Sequence, residues 1–149
     1  MAAKSPYDDL VMDHIRNARN YRVLENANRQ SHGSNVLCGD EVTVYLRLNG
    51  ERIEDAAFQC SCCGISMASA SMLTEGIVGR SADEARSQAG RVIELIEARS
   101  PPGEMPRDEW LAALLATVRE FPARAGCAKL PWTTLDAALD GRPTVELGG

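Results

Sequence analysis

The chain has 149 residues, 44% hydrophobic and 25% charged, a size and make-up that support a single domain spanning 1–149 with its own core. Its 16 basic and 21 acidic residues leave a formal net charge of −5, and no Lys/Arg-rich run or aromatic-plus-basic stripe is present, so no nucleic-acid partner is expected. The opening MAAKSPYDDL lacks the apolar core of a signal peptide and no apolar run reaches membrane-spanning length, so a cytoplasmic protein with no membrane association is expected.

Residues 7–19, YDDLVMDHIRNAR, set Leu10, Val11, His14, Ile15 and Ala18 at helical spacing and predict an amphipathic first helix. A loop rich in Asn and Gly follows, with a short strand expected around Ser31–Val36. EVTVYLRL (41–48) alternates, with Val42, Val44, Leu46 and Leu48 on one face and Thr43, Tyr45 and Arg47 on the other. Asn49-Gly50 is the expected two-residue turn, and RIEDAAFQC (52–60) returns as the antiparallel partner. After Gly64 the pattern becomes helical: Met67, Ala70, Leu73 and Ile77 fall near one face, and Gly79 ends the run. Ser81 and Glu84 form a capping box ahead of a third helix carrying Ala85, Ala89, Val92, Ile93 and Ile96. SPPGEMP (100–106) breaks the chain, and a fourth helix buries Leu111, Leu114, Leu115 and Val118. FPARAGCAKLP (121–131) is expected to be a turn carrying Cys127, with a short last helix over 132–140. Strands first and helices afterwards predict an α+β fold, a small antiparallel sheet of about three strands with helices packed on one face.

Five cysteines punctuate this frame, and three of them crowd into QCSCCGISMASASM (59–72). In a reducing cytosol clustered cysteines are more often metal-binding or catalytic than bridged, and the adjacent Cys62 and Cys63 are badly placed to bridge each other. A disulfide framework is therefore the least expected state. Cys38 precedes the clean strand, Cys60, Cys62 and Cys63 follow its partner, and Cys127 lies between the last two helices. The hairpin thus brings Cys38 towards Cys63, and Asp40 adds a carboxylate with Gly39 allowing the tight backbone between them. Three thiolates and one carboxylate suit zinc, and thiolate-rich sets also hold iron–sulfur clusters. Cys60, in phase with Phe58, reads equally well as a small buried hydrophobe. His14 reads as a packed or surface residue, and His32 is left open between ligand and loop residue.

CGDEV near position 40, CGISMASASM after it and FPARAGC further on, in that order, resemble the U-type iron–sulfur assembly proteins (the IscU/SufU/NifU-N family) over nearly the whole chain. The likeness is closest to the SufU branch. The interval from Cys63 to Cys127 is long, Gly126 stands where the IscU branch has a histidine, and Phe121-Pro122-Ala123-Arg124 replaces that branch's chaperone-recognition motif. The resemblance implies Cys38, Asp40, Cys63 and Cys127 as metal ligands. It further implies Cys38 as the acceptor of persulfide sulfur from a PLP-dependent cysteine desulfurase, and Arg124 as an auxiliary group. Zinc is the implied cofactor, with iron or a [2Fe-2S] cluster as the alternative, and downstream iron–sulfur acceptor or scaffold proteins are the implied recipients. Cys60 and Cys62 stand where the family pattern G-x-G-C has glycines, so they are extra thiols available to the metal, to sulfur or to a cluster. The rival readings are a [2Fe-2S] scaffold and a structural zinc-binding interaction domain. A hydrolase is disfavoured because neither histidine has a catalytic setting.

Overall fold

A long hairpin positions everything else. In the computed structural model, which describes residues 6–98 and 107–148, β2 (Asp40–Asn49) and β3 (Arg52–Ser61) pair antiparallel, with a bulge between Arg47 and Leu48. The turn lies one residue beyond the expected place: Asn49 still pairs with Arg52, and Gly50 and Glu51 make the corner. Gly50 sits at φ 63°, the positive angle that the first position of a tight hairpin turn demands. β1 (Arg29–Asn35) pairs antiparallel with β2.

The sheet departs from expectation at its edge. β4 (Thr144–Leu147) runs parallel to β1, giving a mixed four-stranded sheet in the order β3-β2-β1-β4. Four residues after Pro143 are too short for alternation to announce a strand.

Val42, Val44 and Leu46 are fully buried on the sheet face covered by helices, as their period-2 spacing requires. α5 (Ala125–Leu139) packs on β1 and β2, and α2 (Gly64–Ile77) packs on β3. α1 (Pro6–Arg16) lies against α2 and α4 (Glu109–Glu120), while α3 (Ala82–Glu97) lies against α5. The Ser81–Glu84 capping box forms at the start of α3. The SPPGEMP segment falls outside the described residues.

Two close approaches fix the layers. A Cβ on Gly33 would lie 1.9 Å from Thr134 Oγ1, so only glycine lets α5 approach β1 this closely. A Cβ on Gly64 would meet Ile15 Cδ1 at 3.0 Å, which seats α1 against the start of α2. The opposite sheet face carries a smaller cluster of Leu24, Tyr45 and Ala57.

The last helix begins earlier than expected. Cys127 is not in a turn but in the first turn of α5, after a short 3-10 segment over Pro122–Arg124. Pro131 reads as a breaker in sequence, yet here it is tolerated inside the helix. Proline has no N–H, so the carbonyl four residues back, that of Cys127, loses its helical donor. Ser66 Oγ sits 2.8 Å from that carbonyl and replaces the missing donor.

Candidate metal centre

Three elements converge at one end of the sheet. The loop between β1 and β2 is shaped by Asn35, whose carbonyl accepts the Gly39 N–H and whose side-chain oxygen accepts the Leu37 N–H. Gly39, at φ 72°, reverses the chain so that exposed Cys38 and buried Asp40 both reach the site. The other two thiols sit at helix N-termini. Cys63 is the N-cap of α2, and Cys127 is the third residue of α5. The positive ends of both helix dipoles therefore face this region, a setting that favours anions and thiolates.

The sulfur of Cys38 lies 3.3 Å from that of Cys127. The ligand atoms of Cys38, Asp40 and Cys127 all lie within 4.8 Å of one another. Cys63 is held beside this group rather than within it: its N–H donates to Asp40 Oδ1 at 3.2 Å, and its thiol lies 3.8 Å from Ser66 Oγ. Ser66 is fully buried, with its hydroxyl 2.8 Å from Asp40 Oδ2 and 2.8 Å from the Cys127 carbonyl. One hydroxyl proton thus faces two acceptors and ties the carboxylate to the helix bearing Cys127.

The electrostatics suit a cation. Burial tends to raise the Asp40 pKa, but hydrogen bonds from Ser66, Cys127, Cys63 and Cys38 together hold it below the ordinary carboxylate value. Burial pushes the Cys127 thiol far up, reinforced by its contacts with Cys38, Asp40 and Cys63. Exposed Arg124 is held more firmly protonated by its hydrogen bond to Cys127 and by the charges of Cys63 and Cys127. A buried thiol kept neutral beside an ionised carboxylate is stable without metal, and a divalent cation reverses that balance by favouring thiolate. The donors, thiols with one carboxylate, fit zinc, whose sites take sulfur and carboxylate oxygen. Two converging helix N-termini and Arg124 offset the accumulated negative charge.

The sequence-predicted residues sort as follows. Cys38, Asp40 and Cys127 come together, Cys63 flanks them, and Arg124 stands at the rim. Arg124 and Cys63 line a shallow cavity of about 290 Å³ together with Ile15, Gly64, Ile65 and Phe121. His32 is not at the site; its ring bonds Thr43 and Glu41. His14 is buried against Ser71 Oγ at 2.7 Å, and burial lowers its pKa. Cys60 and Cys62 take the state that the sequence made least expected: they are bonded to each other. Residues two apart at a strand end share a face, and their Cα atoms stand 5.5 Å apart, within disulfide reach. Cys63 remains a free thiol. Sequence reasoning missed Ser66, whose only signal was a small hydroxyl three residues after Cys63.

Residues 6–128 match the NifU-like N terminal domain family. The chain is 35% identical over 133 residues to the zinc-dependent sulfurtransferase SufU of Bacillus subtilis, covering 89% of this chain and 88% of that protein. It is 34% identical over 141 residues to the iron–sulfur cluster assembly scaffold protein IscU of Thermotoga maritima, covering 93% and 96%. A solved structure from Fervidobacterium islandicum, provisionally named a SUF-system iron–sulfur cluster assembly scaffold, superposes with a TM-score of 0.74 at 30% identity, covering 91% of this chain and 96% of that one.

Proposed function

The chain belongs to the NifU-like N-terminal domain family, and from that premise we propose that it serves iron–sulfur cluster assembly by accepting persulfide sulfur at Cys38. The donor is a PLP-dependent cysteine desulfurase, and Cys38, Asp40, Cys63 and Cys127 hold zinc at rest. One observation carries the reading. The exposed Cys38 thiol lies 3.3 Å from the buried Cys127 thiol, so a single site joins an accessible sulfur to a fixed one. The SufU likeness, with its zinc-dependent sulfurtransferase activity, supports it.

The chemistry follows from the loop. Zinc bound here keeps its cysteines as thiolates, the form that reacts. Cys38 presents its sulfur beside Val36 and Leu37, which are 61% and 78% exposed and offer apolar contact to a docking enzyme. The Cys38 thiolate attacks the terminal sulfur of the enzyme's persulfide; the new S–S bond forms on Cys38, and the enzyme's cysteine leaves as thiolate. Arg124, raised in pKa and at the rim, stabilises the anionic persulfide.

Incubation with a cysteine desulfurase and cysteine, followed by peptide mass spectrometry, tests this. The added sulfur is expected on Cys38, and its appearance elsewhere with Cys38 unmodified overturns the assignment. A second reading, a scaffold carrying a [2Fe-2S] cluster that passes to acceptor proteins, is favoured by the nearly full-length likeness to an IscU. A visible absorption spectrum separates the two, since a zinc protein is colourless. A purely structural zinc module fits less well, because closed structural sites draw on Cys and His, whereas this one includes a carboxylate and an exposed thiol. No helix among the described residues is long and apolar enough to cross a membrane, which is compatible with the proposed cytoplasmic location.

A further inference from the structure

The Cys60–Cys62 pair has no part in the sulfur-accepting scheme, yet it stands beside it. Cys60 pairs across the sheet with Val42, and Glu41 with Ser61; the next residues outward are Asp40 and Cys62. Cys62 therefore lies at the strand end that bears Asp40, one residue before Cys63, whose N–H bonds the Asp40 carboxylate. Cys38 is two residues from Asp40 on the neighbouring loop. Both paired cysteines are partly exposed rather than sealed in the core.

A structural role explains little. A bridge enclosing one residue removes almost no freedom from the unfolded chain, because its loop is the shortest available. β3 is already held along its length by β2. In a reducing compartment such bridges are usually transient and catalytic or redox-sensing.

We propose that Cys60 and Cys62 form an internal dithiol that reduces the sulfur delivered to Cys38 and releases it as sulfide; this rests on the sulfur-accepting reading of Cys38. Cys62, at the strand end opposite Asp40, takes the terminal sulfur from the Cys38 persulfide, so Cys38 leaves as thiolate and Cys62 becomes the persulfide. The Cys60 thiolate then attacks the inner sulfur of Cys62, the Cys60–Cys62 bond forms, and hydrosulfide leaves. The sulfane sulfur gains two electrons and the two thiols lose them, so the balance closes within the chain. The disulfide seen in the structure is the spent form. An external protein dithiol of the thioredoxin class, acting by thiol–disulfide exchange, restores it.

The test uses the full-length, metal-loaded protein, reduced and desalted without oxygen. It is mixed with a cysteine desulfurase preloaded with persulfide and freed of cysteine. Expected are a single sulfide released per chain and conversion of Cys60 and Cys62 to the disulfide. The Cys60→Ser variant should stop with the sulfur on Cys62. The Cys62→Ser variant, and the double variant, should keep it on Cys38 and release none. Sulfur that reaches Cys38 in the wild type and stays there, with Cys60 and Cys62 still thiols, overturns this proposal alone. Sulfur that never leaves the desulfurase, in wild type and variants alike, overturns the acceptor reading and this proposal with it.

Discussion

The β1–β2 loop and the wall formed by α2 and α5 bring candidate ligand atoms to the same point but hold them differently. The loop presents Cys38 among exposed residues, its path fixed by Asn35 and by one glycine at positive φ. The wall buries Cys127 to 1% exposure and locks its carbonyl to Ser66, a serine with no exposure at all. One half of the site is presented and the other anchored. The proposed sulfur acceptor would need both, a thiol open to attack and a fixed set of residues that would hold zinc beside it.

The largest effect should come from breaking the anchored half. In Cys127→Ser the site loses its buried thiol, a proposed ligand, and the loss of metal affinity should exceed the roughly 10–100-fold typical of removing a supporting contact. Elemental analysis of untagged protein measures this, and stoichiometric zinc in that variant would remove the wall from the site.

Ser66→Ala keeps every proposed ligand and removes only what ties them. It leaves the Cys127 carbonyl without a donor, at a cost of about 1–3 kcal/mol. In a chain of this length that corresponds to a fall in melting temperature of about 2–4 °C per kcal/mol. Metal affinity should weaken as well, by about 10–100-fold. A variant that melts and binds zinc like the wild type would show that Ser66 is a bystander.

Ser66 also marks where sequence reading stopped. The hairpin, the capping box and the apolar stripes of α3 and α4 were legible because periodicity and caps are local signals; the hairpin also brought Cys38 towards Cys63, whereas the place of Cys127 beside Cys38 and Asp40 came from the family resemblance and not from any local pattern. The Cys127 helix was not, because a proline inside it reads as a stop, and only a serine on another helix, 61 positions away, makes that proline tolerable. β4 was hidden for the same kind of reason: its partner β1 is remote in sequence and its length is too short to show a pattern. The inner polar residues of α2, Ser66, Ser69, Ser71 and Thr74, all fully buried, blur its apolar face, because each bonds a neighbouring segment instead of facing water.

A smaller effect tests the carboxylate that bridges the two halves. The folded protein holds the Asp40 pKa below its ordinary value of 3.8, so the ionised form stabilises the fold. That stabilisation is complete above the ordinary value and disappears as pH falls through the lower, folded one. With metal removed by a chelator, stability should decline on acidification below about pH 4 by on the order of 1 kcal/mol more than in Asp40→Asn. Identical acid titrations of the two proteins would separate Asp40 from the hydrogen bonds credited to it.

The smallest effect on the fold should come from the presented half. Cys38 is exposed, and the backbone turn around it is fixed by Asn35 and Gly39 rather than by its own side chain. Replacing it with serine removes the contact with Cys127 at 3.3 Å but leaves a hydroxyl that can donate to Asp40 in place of the thiol. Metal-free Cys38→Ser should therefore keep its stability within about 0.5 kcal/mol of the metal-free wild type, the range usual for surface changes. Sulfur acceptance should nonetheless vanish, because a hydroxyl is neither thiolate nor persulfide-forming. That combination, an intact fold with no sulfur uptake, distinguishes a presented group from an anchored one. If the metal-free variant instead melts as early as Ser66→Ala, Cys38 belongs to the wall, and the division of the site into two halves is wrong.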